Sequence, residues 1–205
     1  FVAGYIVGFV APFLEKKLPE GLNLIVGALA IAPLARIIAI AVDPVVNSTL
    51  LNIGRMISAA AEQSPIIMGF LLGGIMKMIC TSPLSSMALT AMLGLDGLAM
   101  GIAAIACVGG SFTNGIIFDR LKLGERSNVI AVMLEPLTQA DIITQNPIPI
   151  YGSNFFGGGL AGLAAAMLGI VNTAPGTASP IPGLLAPFGF NPPLKVVAAI
   201  VLAAI

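Results

Sequence analysis

The chain has 205 residues, of which 58% are hydrophobic and only 9% are charged, and its mean hydropathy is +1.04. An ordinary soluble domain has about 25% charged residues, so this chain has too few polar groups to cover a water-exposed surface. Its nine basic and nine acidic side chains cancel, which leaves no basic patch for nucleic acid. The composition predicts an all-α polytopic membrane protein and excludes a soluble domain.

The cysteines give no sign of a disulfide or a metal site. Cys80 and Cys107 lie inside apolar runs, and the chain contains no histidine. We interpret both as small buried apolar residues. No Ser/His/Asp or Cys/His set can be built, so no catalytic residue, metal or cofactor is predicted. Because both ends fall within span-like runs, residues 1–205 are expected to form a single membrane-embedded domain of a longer protein.

The first part of the chain predicts two membrane helices and one amphipathic helix. A helix that crosses the hydrocarbon core needs about 20 mostly apolar residues. Residues 1–14 are the tail of such a helix, which the charged loop EKKLPEG ends. Residues 22–42 form a full span interrupted by Pro33. Residues 45–63 have polar and apolar faces, which predicts an amphipathic helix that lies in the interface or against a polar cavity and is not a span.

The next segments predict a broken pair of helices and then a further span. Residues 65–80 and 83–95 are each short for a crossing, and the polar sequence TSP divides them. We interpret them as a re-entrant hairpin or two broken helices with a tip inside the membrane. Residues 98–118 form a full span, and the positive-inside rule places the basic loop after it in the cytoplasm. If the Lys16-Lys17 loop is also cytoplasmic, an even number of crossings separates the two loops.

The C-terminal part alternates between polar, glycine-rich and proline-rich segments. Residues 155–171 predict a Gly/Ala-rich helix whose small residues recur every fourth position from Gly158, a spacing that permits close helix packing. Residues 172–193 are too proline-rich for a helix and too apolar for a solvent loop, which favours a second re-entrant element. Lys195 opens a last span.

Polar residues at membrane depth form the candidate site. Such groups are costly unless they line a cavity or pair with one another. Carboxylates, amides and hydroxyls suit a small polar solute such as a sugar. The candidate solute-binding residues are Glu135, Thr138, Gln139, Asp141, Gln145, Asn146 and Asn154, with Thr81, Ser82 and Ser85 from the tip. The alternative for the residues from Glu135 to Asn154 is an ordinary extracytoplasmic loop. The alternative for the tip is that its hydroxyl groups bond only to the backbone of their own helix.

Isolated charges and glycine groups are given structural interpretations. Arg36 and Lys77 are single charges within apolar runs, and we expect these long side chains to snorkel to the interface, the alternative being a functional charge inside the membrane. The glycines at 73–74, 109–110 and 157–159 lack the strand–turn–helix setting of a nucleotide loop. We therefore interpret them as packing or hinge glycines.

Four segments carry a family resemblance: GYIVGFVAPFLEKKLPEGLNLI, ICTSPLSSMAL, LTQADI and NTAPGTASP. With them the chain resembles the membrane-embedded sugar permease, the EIIC component, of the bacterial phosphoenolpyruvate:sugar phosphotransferase system, in particular its fructose-type branch. The resemblance implies sugar transport across the bacterial inner membrane by a multi-pass homodimer, with cytoplasmic partners that deliver phosphate. Residues 1–63 would form an interface or scaffold part, and residues 64–205 a substrate-carrying part that moves as a rigid body.

The chain departs from the fructose-type pattern at two positions. Those permeases carry a Thr-Glu pair whose glutamate contacts the sugar, whereas here Thr138 is followed by Gln139. They also carry Ala-Pro-His in the late loop, where this chain has Gly176 as the third residue. Glu135 and Asp141 stand close by and could substitute for the acid. These departures count against phosphorylation coupled to transport but not against transport itself.

Two other functions fit the same sequence. A membrane sensor on this scaffold would bind a solute without moving it, and a structural helical subunit would use the polar segments to meet a protein partner. Ligand-dependent thermal stabilisation separates the first two functions from the third, because a solute that binds the folded state raises its apparent stability. Uptake of labelled solute into vesicles separates a permease from a sensor.

Overall fold

A computed structural model describes residues 2–15 and 22–205. Every regular element in these two ranges is helical. The helices are α1 (Val2–Glu15), α2 (Leu22–Gln63), α3 (Pro65–Thr81), α4 (Ser86–Leu93), α5 (Gly97–Arg120), α6 (Arg126–Leu134), α7 (Ala140–Gln145), α8 (Pro147–Met167), α9 (Pro180–Leu185) and α10 (Pro193–Ala204), with 3-10 turns at Pro136–Gln139 and Ala186–Gly189. The all-α prediction is confirmed, and the Lys16-Lys17 loop lies outside the described residues.

The chain forms two compact units, Phe1–Leu50 and Leu51–Ile205. The first unit contains α1 and the N-terminal part of α2, and the second contains the rest of α2 and all later helices. This boundary says nothing about which part carries a substrate. The division into a scaffold, 1–63, and a substrate-carrying part, 64–205, stays a prediction.

Helix α2 is continuous where the sequence predicted two elements. The prediction that Pro33 interrupts the span and that a separate amphipathic helix follows Pro44 is wrong, since both prolines lie inside α2. An internal proline destabilises a helix in water by about 3 kcal/mol, but membrane helices tolerate it where other groups satisfy the backbone. Beside Pro44, the Asn47 side chain donates a hydrogen bond to the Asp43 carboxylate (2.9 Å), within the helix itself.

Two of the described helices are long and apolar enough to cross a membrane. They are the Leu29–Gln63 part of α2 and the whole of α5. Helix α5 matches the predicted span 98–118 and forms the centre of the second unit, because α3, α6, α8, α9 and α10 all pack against it. The orientation of residues 45–63 relative to the membrane stays a prediction.

Glycines bring α3 and α8 into close contact. A Cβ atom added at Gly73 would lie 2.5 Å from the carbonyl oxygen of Gly158, and one at Gly69 would lie 2.7 Å from the Ala166 Cβ. The helix backbones can approach this closely because neither carries a bulky side chain at the contact. The packing role predicted for the spacing from Gly158 through Gly162 to Ala166 is confirmed.

Helix α8 begins earlier than the sequence predicted. The predicted range was 155–171, but the helix starts at Pro147. Pro147 occupies its first position and Pro149 its third, where a backbone N–H has no partner within the helix, so the missing N–H groups cost little. Asn154, expected in a polar loop, therefore lies inside a helix and is held at a fixed depth in the bundle.

The late proline-rich segment is partly helical. The prediction that residues 172–193 cannot form a helix is wrong for α9, which begins with Pro180 at its first position. Gly183 lets α9 lie directly against α5, since a Cβ atom there would be 2.6 Å from the Ala104 carbonyl oxygen. Residues 171–179 have no regular structure, and their depth in the membrane stays a prediction.

Candidate functional site

The polar tip separates α3 from α4. Helix α3 ends at Thr81 and α4 begins at Ser86, close to the predicted breaks. The Ser85 hydroxyl accepts a hydrogen bond from a backbone N–H of the first turn of α4 (3.1 Å), so it caps that helix. The Ser82 hydroxyl donates to the carbonyl of Ile79 (2.7 Å). Both serines thus bond to the backbone of their own segment, as the alternative interpretation of the tip had it.

Three buried polar side chains from three helices form a hydrogen-bonded chain. Asn114 of α5 donates through Nδ2 to Thr81 Oγ1 of α3 (3.3 Å). Asn154 of α8 donates through Nδ2 to Asn114 Oδ1 (2.6 Å) and to the carbonyl of Ile150 (2.8 Å). The Oδ1 atom of Asn154 is buried and has no hydrogen-bond partner in the described residues. A buried acceptor without a partner costs about 1–3 kcal/mol, so Asn154 Oδ1 remains available to accept a hydrogen bond from a further donor.

Lys77 lies one turn before Thr81 on α3 and is completely buried. Its Nζ atom has no hydrogen-bond partner among the described residues. A Cβ atom at Gly110 of α5 would collide with Cδ and Cε of this lysine, and one at Gly158 of α8 would collide with its Cβ. The prediction that Lys77 snorkels to the interface is wrong, because two glycines open a path for its side chain into the bundle. Arg36, by contrast, is exposed.

The lysine and the amides occupy adjacent levels of the same three helices. Lys77 and Thr81 are one turn apart on α3. Likewise Gly110 and Asn114 are one turn apart on α5, and Gly158 and Asn154 are one turn apart on α8. We call Lys77, Thr81, Asn114 and Asn154 the three-helix cluster. It combines a cationic donor, Lys77 Nζ, with an amide acceptor, Asn154 Oδ1, and neither atom has a hydrogen-bond partner among residues 2–15 and 22–205.

Glu135 connects the region of the tip to the late loop. It stands between α6 and the first 3-10 turn, which packs against α3. Its Oε2 atom accepts a long hydrogen bond from the Ser179 hydroxyl (3.5 Å). The preceding residue, Ala178, accepts a hydrogen bond through its carbonyl from the Ser86 hydroxyl at the start of α4 (2.5 Å). The acid, the late loop and the start of α4 therefore meet beside α3.

The two cysteines lie close to the cluster. Both are free and buried, as the sequence predicted. Each thiol influences the other, and the charges of Lys77 and Glu135 act on both. The lysine and the glutamate therefore share one electrostatic neighbourhood, although they form no ion pair, because Lys77 Nζ has no partner.

Gln139 and Thr138 serve the local structure of the first 3-10 turn. Gln139 Oε1 accepts a hydrogen bond from Asn128 Nδ2 (2.6 Å), which links the turn to the start of α6. The Thr138 hydroxyl donates to the carbonyl of Glu135 (2.8 Å). Gln139, at the position of the sugar-contacting acid of fructose-type permeases, is thus hydrogen-bonded to a side chain of α6.

The remaining predicted residues surround the short helix α7. Asn146 is half-buried, and its Nδ2 atom donates to the carbonyl of Ile142 (3.1 Å). Asp141 and Gln145 are exposed. Of the predicted residues, the structure brings Thr81 and Asn154 into the three-helix cluster. It joins Glu135, which is exposed, to Ser179 of the late loop.

Two residues of this region were not found from the sequence. Asn114 is a lone amide inside the predicted span 98–118. An amide without a partner is unfavourable inside a membrane, so this residue could have been recognised from the sequence as one that needs a polar partner. Ser179 gave no such signal, because only the folding of the late loop brings it to Glu135.

Two cavities lie away from the three-helix cluster. One, of about 740 Å³, lies between α5, α8 and α10 and has mostly apolar walls, including Phe112, Leu160 and Met167. The other, of about 650 Å³, lies at the turn between α5 and α6 beside Lys122 and Arg126. The first lacks the polar groups that orient a polyhydroxylated ligand, and the second lies in the charged loop outside the apolar runs.

Comparison with known families agrees with the resemblance at the level of the EIIC component. Residues 1–205 match the family model described as phosphotransferase system, EIIC. Neither a curated protein nor a solved structure matches the chain. The family match covers both units and every residue of the three-helix cluster. The chain therefore belongs to the EIIC family, the integral membrane components through which the phosphotransferase system takes up sugars.

Proposed function

We propose that this chain is a permease of the fructose-like branch that carries a sugar across the bacterial inner membrane and binds it at the three-helix cluster. The observation that carries the proposal is the unused hydrogen-bonding capacity of two buried atoms, Asn154 Oδ1 and Lys77 Nζ. Sugar hydroxyls both donate and accept hydrogen bonds, so one hydroxyl can donate to the amide oxygen while another oxygen accepts from the ammonium. Binding would offset the cost of leaving both groups without partners.

The described conformation has the cluster closed, so a solute must gain access by movement of nearby segments. The start of α4 is joined to the late loop by the hydrogen bond from Ser86 to Ala178, and the late loop to Glu135 by the long bond from Ser179. We propose that separation of these segments opens the cluster. Residues 64–205 would then be the substrate-carrying part and residues 1–63 the scaffold of a homodimer.

The structure favours Glu135 as the acid of the site. Gln139, at the position of the glutamate of fructose-type permeases, is bonded to Asn128. Glu135 and Asp141 are both exposed, but Glu135 accepts a hydrogen bond from Ser179 of the late loop. We therefore propose Thr81, Asn154 and Glu135 as solute contacts. The other predicted residues would shape the surrounding segments without bonding the solute: Ser82, Ser85, Thr138, Gln139, Asp141, Gln145 and Asn146.

We further propose that transport does not require phosphorylation of the solute. The two residues that fructose-type permeases carry, an acid after Thr138 and a histidine at position 176, are Gln139 and Gly176 here. Cytoplasmic phosphotransferase proteins would approach from the side of the basic loop after α5.

Uptake into proteoliposomes tests this function. The full-length protein is reconstituted, and saturable uptake of labelled sugars is measured with and without phosphoenolpyruvate and the cytoplasmic phosphotransferase proteins. We expect uptake of at least one sugar without the phosphate donor, and loss of that uptake in Asn154→Leu. Asn52→Leu, which changes an exposed asparagine of α2, serves as the matched control and should transport normally.

Three results would contradict the proposal in different ways. Thermal stabilisation by a sugar without uptake would identify a sensor. Neither stabilisation nor uptake with any sugar would identify a structural subunit. Uptake that depends strictly on the phosphate donor would support the permease function but contradict the proposal that transport does not require phosphorylation of the solute.

A further inference from the structure

Lys77 is the only charged side chain that is buried among the described residues. A buried ammonium without a counter-ion is strongly unfavourable, because it has lost its hydration and gained no opposite charge. The buried thiols of Cys80 and Cys107 are within the electrostatic reach of both Lys77 and the exposed carboxylate of Glu135. Neither the thiols nor the carboxylate is within hydrogen-bond distance of Nζ. The described residues therefore supply no partner for the ammonium group of Lys77.

The bundle is shaped around this lysine. Gly110 and Gly158 leave space for its side chain, and a side chain at either position would collide with it. A methionine could occupy the same path without placing a charge in the membrane, since it is also long, unbranched and flexible. Packing alone therefore accounts for the length of the Lys77 side chain but not for its ammonium group.

We infer that Lys77 binds an anionic group of the transported solute, so that the permease prefers an acidic sugar, one that carries a carboxylate, over its neutral counterpart. This inference rests on the proposed function, in which the same cluster holds the sugar. The carboxylate would accept charge-assisted hydrogen bonds from Nζ, while the hydroxyl groups bond to Asn154 Oδ1 and to Thr81.

The local charge balance favours a carboxylate over a phosphate. A carboxylate has one negative charge, which the single buried ammonium matches. A phosphate monoester has a charge of about −1.5 to −2 near neutral pH, so part of its negative charge would have no buried cation to balance it. The solute class that fits is a uronate or aldonate rather than a sugar phosphate.

Binding of matched pairs of sugars tests the inference. The full-length protein in detergent is titrated calorimetrically with hexoses and their uronates, with alditols and their aldonates, and with hexose 6-phosphates. We expect at least one acid to bind at least about tenfold more tightly than its neutral partner, as the loss of a hydrogen bond to a charged group would produce. Lys77→Met should remove this preference, so that the acid and its neutral partner bind with similar affinity.

Lys195→Met is the matched control. Its Nζ atom donates to the carbonyl of Gly169 (2.9 Å), at the end of α8, so this lysine already has a partner. The preference for the acid should persist in that variant. If Lys77→Met does not fold, Lys77→Gln, which keeps a polar side chain without the charge, provides the same comparison.

The outcomes distinguish this inference from the proposed function. Equal affinities for acid and neutral sugar in the unmodified protein, as a neutral amine would give, overturn the inference and leave the sugar site in place. A preference for the acid that survives Lys77→Met, or tighter binding of the sugar phosphate, also overturns it. Failure of every sugar to bind overturns the inference and the proposed site together.

Discussion

Two polar regions of the second unit differ in how their side chains are satisfied. Between residues 138 and 146 polar residues are dense in the sequence, but in the structure they are exposed or form bonds that hold turns and helix ends together. In the three-helix cluster, Lys77 and Asn114 lie alone within apolar runs, and Thr81 and Asn154 come from polar segments. All four are buried, and the threonine and the two asparagines meet across three helices. A high density of polar residues along the chain marks helix breaks, whereas burial of polar residues between three helices marks the candidate site.

The reason lies in the cost of polar groups inside a bundle. A break between helices exposes backbone N–H and C=O groups, and nearby hydroxyl and amide side chains satisfy them. A single amide inside a long apolar helix has no such local use and requires a partner from another helix. Substitutions that compare the two regions therefore test whether the cluster or the 138–146 segment carries the function.

The largest effect is expected for Gly110→Ala. The added methyl group would collide with the methylene chain of Lys77, so the substitution should lower the free energy of unfolding by about 3 kcal/mol, at the upper end of the usual range for overpacking. Gly152→Ala is the control, because a Cβ atom there meets nothing within 4 Å. That change should be neutral or stabilise α8 by up to about 1 kcal/mol.

Equilibrium unfolding in detergent measures both effects, and a double-mutant cycle identifies the cause. In a Lys77→Ala background the collision is removed, so Gly110→Ala should then have little effect. A loss of stability that is the same in both backgrounds would show that Gly110 matters for another reason.

Asn114→Leu should have the second largest effect. It removes the donor to Thr81 and the acceptor for Asn154, so two buried groups lose partners and the free energy of unfolding should fall by about 2 kcal/mol. Asn146→Leu breaks only a bond within one turn, to the carbonyl of Ile142, and should cost less than about 1 kcal/mol. Chemical unfolding of the two variants side by side decides the comparison, and equal losses would contradict it.

The sequence predicted the helical class, the central span α5 and the packing role of the glycines in α8, because each depends on a local pattern of apolar or small residues. It did not predict that α3 is the partner of α8. It placed two boundaries wrongly for one physical reason. Proline was interpreted as a helix breaker, whereas Pro33 and Pro44 are accommodated within α2 and Pro147 begins α8. The effect of a proline depends on its position in the helix and on its surroundings, which the sequence alone does not reveal.

Of the candidate site, the sequence identified the residue types better than their assembly. Thr81, Asn154 and Glu135 were predicted, but Lys77 was assigned to the interface and Asn114 was not selected. The partners of Asn114 lie 33 and 40 positions away along the chain, so no local pattern reveals them. The glycines that admit the lysine also lie on two other helices.

A smaller effect is expected for Gln139→Ala. This change removes the hydrogen bond from Asn128 and should lower the free energy of unfolding by about 1 kcal/mol without altering the affinity for the sugar. Gln139→Glu restores the acid of fructose-type permeases and keeps an oxygen that can accept from Asn128. Calorimetric affinities of both variants are the measurement. A tenfold change in either would bring the 138–146 segment back into the site.

The smallest effect is expected for Asp141→Ala, and its value lies in the comparison with Glu135→Ala. Both acids were candidates to replace the glutamate of fructose-type permeases, and both are exposed, but Glu135 accepts a hydrogen bond from Ser179 of the late loop. An exposed side chain usually changes stability by less than about 0.5 kcal/mol when removed, so Asp141→Ala should match the unmodified protein in unfolding and in affinity.

Glu135→Ala removes an acceptor that a sugar hydroxyl could use, and a hydrogen bond to a charged group is worth about 1.5–3 kcal/mol, which corresponds to a loss of affinity of tenfold or more. Titration of the two variants with the same sugar ranks the two acids directly. If Asp141→Ala weakened binding more than Glu135→Ala, the solute would lie against α7 and not beside the three-helix cluster. In that case the dense polar segment, rather than the buried residues, would be the part of the chain that recognises the sugar.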